Sequence, residues 1–273
     1  MSSEPALRIL QVGFATTIQD RGRTGFAHLG VPAAGAVDRR THDQMNRLVG
    51  NPRGAATVET MGAFVVEALR PVVVASSTDG HRQALKAGAR LRVDAPADSV
   101  WAYLAVRGGI DVEPVLGSRS QDTLGGVGPP ALAVGSLLRV GSDPGTTLDA
   151  DHAPPRAPTN DRIRLWEGPQ HDWFVGGLHC LTTGPWRVTN ELSRVGVRLG
   201  RGEFRPSTRA RAAMSSIGLT AGAVQVTPAG EPIVMLANHP TTGGYPVIAV
   251  VDPDDLAVLV QTRPGVSVHF RPA

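Results

Sequence analysis

The chain has 273 residues and a formal net charge of +3, with 27 basic and 24 acidic side chains interspersed. That balance, without a run of like charge or basic-aromatic interleaving, gives little footing for nucleic-acid binding. Gly 32 and Pro 22 make up about a fifth of the residues and aromatics only 4%, so many short strands joined by turns are expected rather than a helical bundle. Lys86 is the only lysine, which makes the chain a poor carrier of a lysine-linked cofactor such as biotin, and Cys180 is the only cysteine, which excludes an intrachain disulfide. Met1–Leu10 lacks the apolar core of a signal peptide, and no window approaches the roughly 18 apolar residues of a membrane span. A soluble cytoplasmic protein is the expectation.

In chain order, Leu7–Val12 reads as a first strand. Gln19–Gly25 follows, with one carboxylate, two arginines and two glycines. Arginine forks bind carboxylates or phosphates bidentately, and glycines permit the close turn that aims them. A ligand site and a solvated turn with a local Asp20–Arg23 pair are both open readings. Gly30–Asp38 delivers Asp38 as N-cap of a helix over Arg39–Val49, closed by Gly50, with His42 and Asn46 on one face as structural partners. Gly62–Glu67, Pro71–Ala75, Arg90–Val93 and Trp101–Val106 are predicted strands. Gly117–Gly128 lacks the context of a nucleotide loop and is expected to be a flexible surface loop.

Ser142–Asn160 is poor in bulky apolar residues, which makes residues 142–160 the linker between lobes at 1–141 and 161–273. Beyond it, Arg162–Trp166 is a predicted strand and Gly168-Pro169 opens a short helix. His171 and His179 have no third partner, so no metal site is expected, and Cys180 reads as a buried thiol. Arg194 and Arg198 bracket Gly196. Ala223–Val226, Ile233–Ala237 and Val247–Val251 are predicted strands, Asp252 is placed as cap of a helix containing Leu256, Leu259 and Val260, and Val266–Phe270 closes the chain. Gly62–Val74 loosely echoes Gly222–Met235, which suggests two similar β lobes. Asn238–Val250, which runs from the end of one of these strands into the next, concentrates His239, Thr241, Thr242, Gly243, Gly244 and Tyr245. It reads either as a hairpin turn or as a binding loop.

Several stretches together resemble a known family: Thr16–Asp38 (TTIQDRGRTGFAHLGVPAAGAVD), Asn46–Asn51 (NRLVGN), Ala102–Asp122, Ser193–Leu199 (SRVGVRL) and Pro232–Val251. They are similar to the biotin-dependent carboxyltransferase-like family, whose members include the C-type component of 5-oxoprolinase, KipA and the allophanate-hydrolase-subunit-2-like part of urea amidolyases. The resemblance runs from about Leu7 to Phe270. It implies a mainly-β architecture of two cyclophilin-like β-barrel lobes with a few short helices. Ser193 and Val197 depart from the family's asparagine and tyrosine, and Ser76-Ser77-Thr78 from its T-G-A.

For function, the resemblance implies the C-type component of an ATP-dependent 5-oxoprolinase, acting with two further components, a KipI-like B type and a lactam-utilisation A type. ATP would be used by the complex, and any biotin would be carried by another chain. The alternatives are a urea-carboxylase-like carboxyltransferase component and a KipA-type non-catalytic partner. For a small anionic lactam, Arg194, Arg198, Gln19, Arg21 and Arg23 would bind, together with Thr241, Thr242, Gly243 and Gly244. Asp20, His239 and Tyr245 would move or hold protons.

Overall fold

The computed structural model describes residues 4–148, 150–153, 162–200 and 214–273. The chain forms two compact units, one of residues 1–23, 34–122 and 126–157, the other of residues 24–33, 123–125 and 158–273. It is mainly β, as expected.

The first unit contains, in chain order, β1 (Leu7–Gln11), β2 (Thr17–Gln19), helix α1 (Arg39–Leu48), β3 (Thr57–Met61), β4 (Phe64–Ala68), β5 (Val72–Ser76), β6 (His81–Leu85), β7 (Arg90–Val93), β8 (Trp101–Val106), β9 (Ile110–Asp111) and β10 (Leu137–Val140). These strands form two five-stranded sheets, ordered β7-β4-β1-β10-β9 and β2-β3-β8-β5-β6. One apolar core serves both: Leu7, Ile9, Phe64 and Val66 from the first sheet meet Ile18, Val58, Val74 and Leu104 from the second. Helix α1 is capped by the Asp38 carboxylate, which accepts from the backbone N–H groups of Arg40 and Thr41, and Gly50 closes it at φ 72°. His42 is fully buried and bonds Ala55 O through Nε2 at 3.1 Å, a structural role.

Strand β3 places Glu59 at 0% exposure, a burial a carboxylate tolerates only with partners. Tyr103 Oη donates to Glu59 Oε2 at 2.7 Å, and the Val37 N–H donates to the same oxygen at 2.9 Å. Tyr103 Oη in turn accepts from the Asp38 N–H at 2.8 Å. Burial, then the neighbouring Glu59 and Asp38 carboxylates, push the Tyr103 phenol well above its usual range, so it stays a donor. The network fixes the loop leading into α1. Tyr103→Phe is expected to cost about 1–3 kcal/mol, because it leaves a buried carboxylate and a buried N–H short of a partner. Urea unfolding checks this, and an unchanged midpoint would contradict it.

The second unit contains β11 (Arg162–Glu167), α2 (His179–Thr182), β12 (Trp186–Leu192), β13 (Gly196–Gly200), β14 (Ile217–Gly218), β15 (Ala223–Val226), β16 (Pro232–Met235), β17 (Thr242–Gly243), β18 (Val247–Val251), α3 (Leu256–Gln261) and β19 (Ser267–Pro272). Seven of these close into a barrel, β11-β18-β15-β16-β13-β12-β19, sealed by parallel pairing of β11 with β19. Alternation sends Ile163 and Leu165 of β11, and Trp186 and Val188 of β12, to the inside. Closure removes the free edges that an open sheet of this composition would expose.

Several sequence expectations change here. Asp252 is not the helix cap: its Oδ1 accepts from Asp254 N at 3.0 Å, its Oδ2 from Trp166 Nε1 at 3.2 Å, and α3 starts after Asp255. Gly168-Pro169 leads into a single 3-10 turn, His171–Trp173. Cys180 is only partly buried, its thiol directed at Val175 O. The echo between halves is not a structural repeat, because β4 and β5 lie in different sheets whereas β15 and β16 pair directly. Within the stretch read as a linker, Thr146 Oγ1 donates to Gly50 O at 2.6 Å and Ala153 N to Gly80 O at 2.9 Å. Residues 154–160 of that stretch lie outside the described residues.

Candidate functional site

Gln19, Asp20, Arg21 and Arg23 belong to the first unit, and the residues around Arg194 and His239 to the second. In the first unit the organising group is Asp20. Its Oδ1 accepts from Ser118 Oγ and Ser120 Oγ, each at 2.6 Å, and from Gly22 N at 2.7 Å, while Oδ2 accepts from Arg119 N at 2.6 Å. Burial alone would push this carboxyl up, but the four donors outweigh it and hold it below the usual carboxylate range. Part of the expected surface loop is therefore a buried clasp, with Ser118, Ser120 and Asp122 at most 1% exposed, while Gly117 and residues 123–126 are exposed as expected. With both oxygens filled, Asp20 is an anchor, poorly placed to take up a proton.

Its neighbours are similarly engaged. The Gln19 amide nitrogen donates to Thr17 Oγ1 at 2.9 Å and to Gln121 O at 3.1 Å, and its Oε1 is buried without a hydrogen-bond partner among the described residues. Arg23 donates through Nε to Val115 O at 3.3 Å and through Nη2 to Ser120 O. Burial lowers the proton affinity of its guanidinium, against the pull of Asp122 and Asp20. The local Asp20–Arg23 pair is replaced by contacts of both side chains with residues 115–120. Arg21 points outward to Asp43. Asp43 in turn lies below the usual range: its burial is outweighed by hydrogen bonds from His42 and Arg21.

In the second unit the loop after β16 is not a hairpin turn, because β15 lies between β16 and β18 and pairs with both. The chain must cross the end of β15, and residues 236–246 do so. Its short strand β17 pairs with β14, Ile217 opposite Gly243. Two glutamines hold its far end: Gln225 Nε2 donates to Tyr245 O at 2.9 Å, and Gln170 Oε1 accepts from Val247 N at 2.9 Å. A Cβ on Gly243 would lie 2.7 Å from Gln225 Nε2 and 2.8 Å from Leu219 Cδ1, so the ends of both side chains would have to move. Gly243→Ala is expected to destabilise by only about 1 kcal/mol, because both side-chain ends can shift. It should also release Gln225 from Tyr245, seen as faster amide exchange over residues 241–247. Unaltered exchange would show that the loop does not depend on this contact.

Arg194 meets the near end of the same loop. It is 3% exposed, its Nε donates to Asn238 Oδ1 at 2.8 Å, and its carbonyl accepts from Asn238 N at 2.9 Å. Arg198 does not reach the loop. Its guanidinium lies against Glu191 (3.1 Å) and Glu231 (2.6 Å), and Glu231 precedes β16 whereas the loop follows it. The loop itself offers Thr242 and Tyr245 exposed and Thr241 half-buried. His239 is 8% exposed, and its Nδ1 lies 2.7 Å from Pro240 O. A carbonyl only accepts, so Nδ1 carries a proton, and in the neutral ring Nε2 then presents the lone pair.

Chemically, this loop combines a basic nitrogen, hydroxyl donors and a stiff backbone, which suits proton transfer to and from a small polar substrate. Ser118, Ser120, Gln170 and Gln225 were not singled out from the sequence. The two serines did lie in a stretch that carried the resemblance. Among the described residues, no three His, Cys, Asp or Glu side chains converge as metal ligands, and no helix is long and apolar enough to cross a membrane.

A family model described as carboxyltransferase domain, subdomain A and B, matches residues 29–272. The C-type component of 5-oxoprolinase from Escherichia coli is 36% identical over 282 residues, covering 97% of this chain and 90% of that protein. The crystal structure of TTHA0988 superposes with a TM-score of 0.88 at 34% identity, covering 99% of this chain but 57% of that one. The Kluyveromyces lactis urea carboxylase structure gives a TM-score of 0.85 at 26% identity, and the match spans 28% of its chain.

Proposed function

Because the chain belongs to the carboxyltransferase subdomain A and B family, we propose that it is the C-type component of an ATP-dependent 5-oxoprolinase. In this reading it opens 5-oxoproline to glutamate with two further components, a KipI-like B type and an A type of the lactam-utilisation kind. One observation carries the choice of substrate: identity is 36% to a 5-oxoprolinase component, against 26% to a urea carboxylase. ATP is then used by the complex, which works in the cytoplasm.

Opening the lactam requires water to add to the ring carbonyl, the C–N bond to break, and a proton to reach the departing nitrogen. His239 Nε2 is the group we assign to proton transfer, with Tyr245 Oη as a further donor. Thr241 and Thr242 hydroxyls and the Gly244 N–H would stabilise charge on the carbonyl oxygen, with Gly243 held in the pairing of β17 with β14. Asp20, Gln19, Arg23 and Arg194, buried and engaged as they are, take positioning roles. Arg21, paired with Asp43, and Arg198, paired with Glu191 and Glu231, are given no part in this step.

The test is ATP hydrolysis by the three components purified together. Addition of 5-oxoproline should stimulate it and yield glutamate, and an intact complex indifferent to 5-oxoproline would overturn the reading. The similarity to urea carboxylase favours one second reading, carboxyl transfer from biotin borne by another chain. In that case urea, and not 5-oxoproline, would accept carboxylate in the same preparation.

A further inference from the structure

The first unit contains a cleft of about 250 Å³ that none of these roles uses. Its floor is backbone against backbone: a Cβ on Gly108 would lie 2.4 Å from Gly141 O, and one on Gly141 would lie 2.5 Å from Gly108 O. Only glycines permit that approach, and they leave the cleft clear of side chains. Asn51 stiffens the floor, accepting from Gly108 N at 2.8 Å and donating to Val106 O at 2.8 Å. Ala55, Ala56 and Ile110 provide an apolar wall.

Two charges line the same cleft. Arg119 Nη2 and Asp111 Oδ1 stand 3.5 Å apart, with the side chains 39% and 46% exposed. That separation exceeds an ordinary hydrogen bond, so the pair leaves capacity on both partners. The Nε of Arg119 is buried and has no hydrogen-bond partner among the described residues. The base of this side chain does not wander, because the Arg119 N–H and both flanking serines are fixed on Asp20. A guanidinium with spare donors on a fixed stretch of backbone, beside a carboxylate with spare acceptors, defines what the cleft can hold.

A plain anion would meet Asp111, and a plain amine would meet Arg119. A ligand bearing carboxylate and ammonium on one carbon satisfies both, displacing a mutual contact that contributes little. The volume lies below the roughly 300–1,000 Å³ of drug-sized sites, which restricts the ligand to metabolite size. We propose that this cleft binds an α-amino acid with a short uncharged side chain, its carboxylate on Arg119, its ammonium on Asp111 and its side chain against Ala55, Ala56 and Ile110. This site is independent of the loop chemistry in the second unit and of the 5-oxoproline reading.

The test uses the full chain and three matched probes in ligand-observed NMR titrations. These are L-valine, isovalerate (valine without its amino group) and isobutylamine (valine without its carboxylate). L-Valine should bind saturably, and each truncated probe about tenfold or more weaker, a difference of about 1.4 kcal/mol. Arg119→Gln and Asp111→Asn should each weaken L-valine by about the same factor while leaving the thermal midpoint in place. Isovalerate binding as well as L-valine would overturn the zwitterion assignment. Absence of L-valine binding to folded protein, or full binding by both variants, would overturn the site.

Discussion

Asp20→Asn should lower the stability of the first unit by roughly 3 to 5 kcal/mol, although it changes one atom and hardly any volume. The reason lies in where the four donors sit. Oδ1 takes Gly22 N as well as the two serine hydroxyls, and Oδ2 takes Arg119 N. Whichever way the new amide faces, its NH2 opposes one backbone N–H, of Gly22 or of Arg119. The hydroxyls can rotate to accept, but the backbone groups cannot. Ser118→Ala and Ser120→Ala each remove one donor to the carboxylate and the acceptor of one backbone N–H, of Ser120 and of Asp20 respectively, so each should cost about 1–3 kcal/mol. Thermal unfolding would show the contrast as a fall on the order of 10 °C for Asp20→Asn against a few degrees for either serine variant. Equal effects of the three substitutions would refute the clasp.

The same carboxylate predicts a pH dependence with a definite direction. Its folded proton affinity lies below the unfolded value, so its stabilisation is fully present above the unfolded pKa, about 3.9. It is lost as pH falls through the lower folded pKa, where the native carboxylate takes up a proton. The stability gap between the natural protein and Asp20→Asn should therefore be constant at neutral pH and narrow below about pH 4. Asp43 and Asp255 also lie below the usual range, but they are common to both proteins and cancel in the difference.

Why the clasp was invisible in the sequence is a matter of contact range. Three of its four partners lie 98 to 100 positions from Asp20, and Ser-Arg-Ser among glycines has the composition of a surface loop. Legibility followed the same division in the fold. Trp101–Val106, Ala223–Val226 and Val247–Val251 fall where the apolar, β-branched runs place them, because burial of such runs is decided locally. Strand β3 escaped notice because Thr57, Glu59 and Thr60 are polar yet fully buried. Their burial depends on Tyr103, Val37 and Gln19, which only the folded chain supplies. The crossing loop gave a mixed result. Its chemistry was readable from residue types, but its path was not, since strand order is set by pairing of β15 with both neighbours. Arg198 makes the converse point: a fork flanking a glycine suggested a ligand, whereas two glutamates occupy it.

His239→Asn isolates the chemical role of the loop from its architecture. The asparagine Nδ2 superposes on the imidazole Nδ1 and can keep the donation to Pro240 O that the histidine makes at 2.7 Å. What is lost is Nε2, the nitrogen to which proton transfer is assigned. Removal of a general acid–base group commonly lowers turnover by about 10² to 10⁴-fold. The expected result for the co-purified complex is a fall of that size in 5-oxoproline-dependent kcat, with KM and the barrel's thermal midpoint little changed. A loss of stability accompanying the loss of rate would instead make His239 a structural residue of the crossing. A fall in rate of less than about threefold, with the complex intact, would remove it from the chemistry and leave proton transfer to Tyr245 or to another component of the complex.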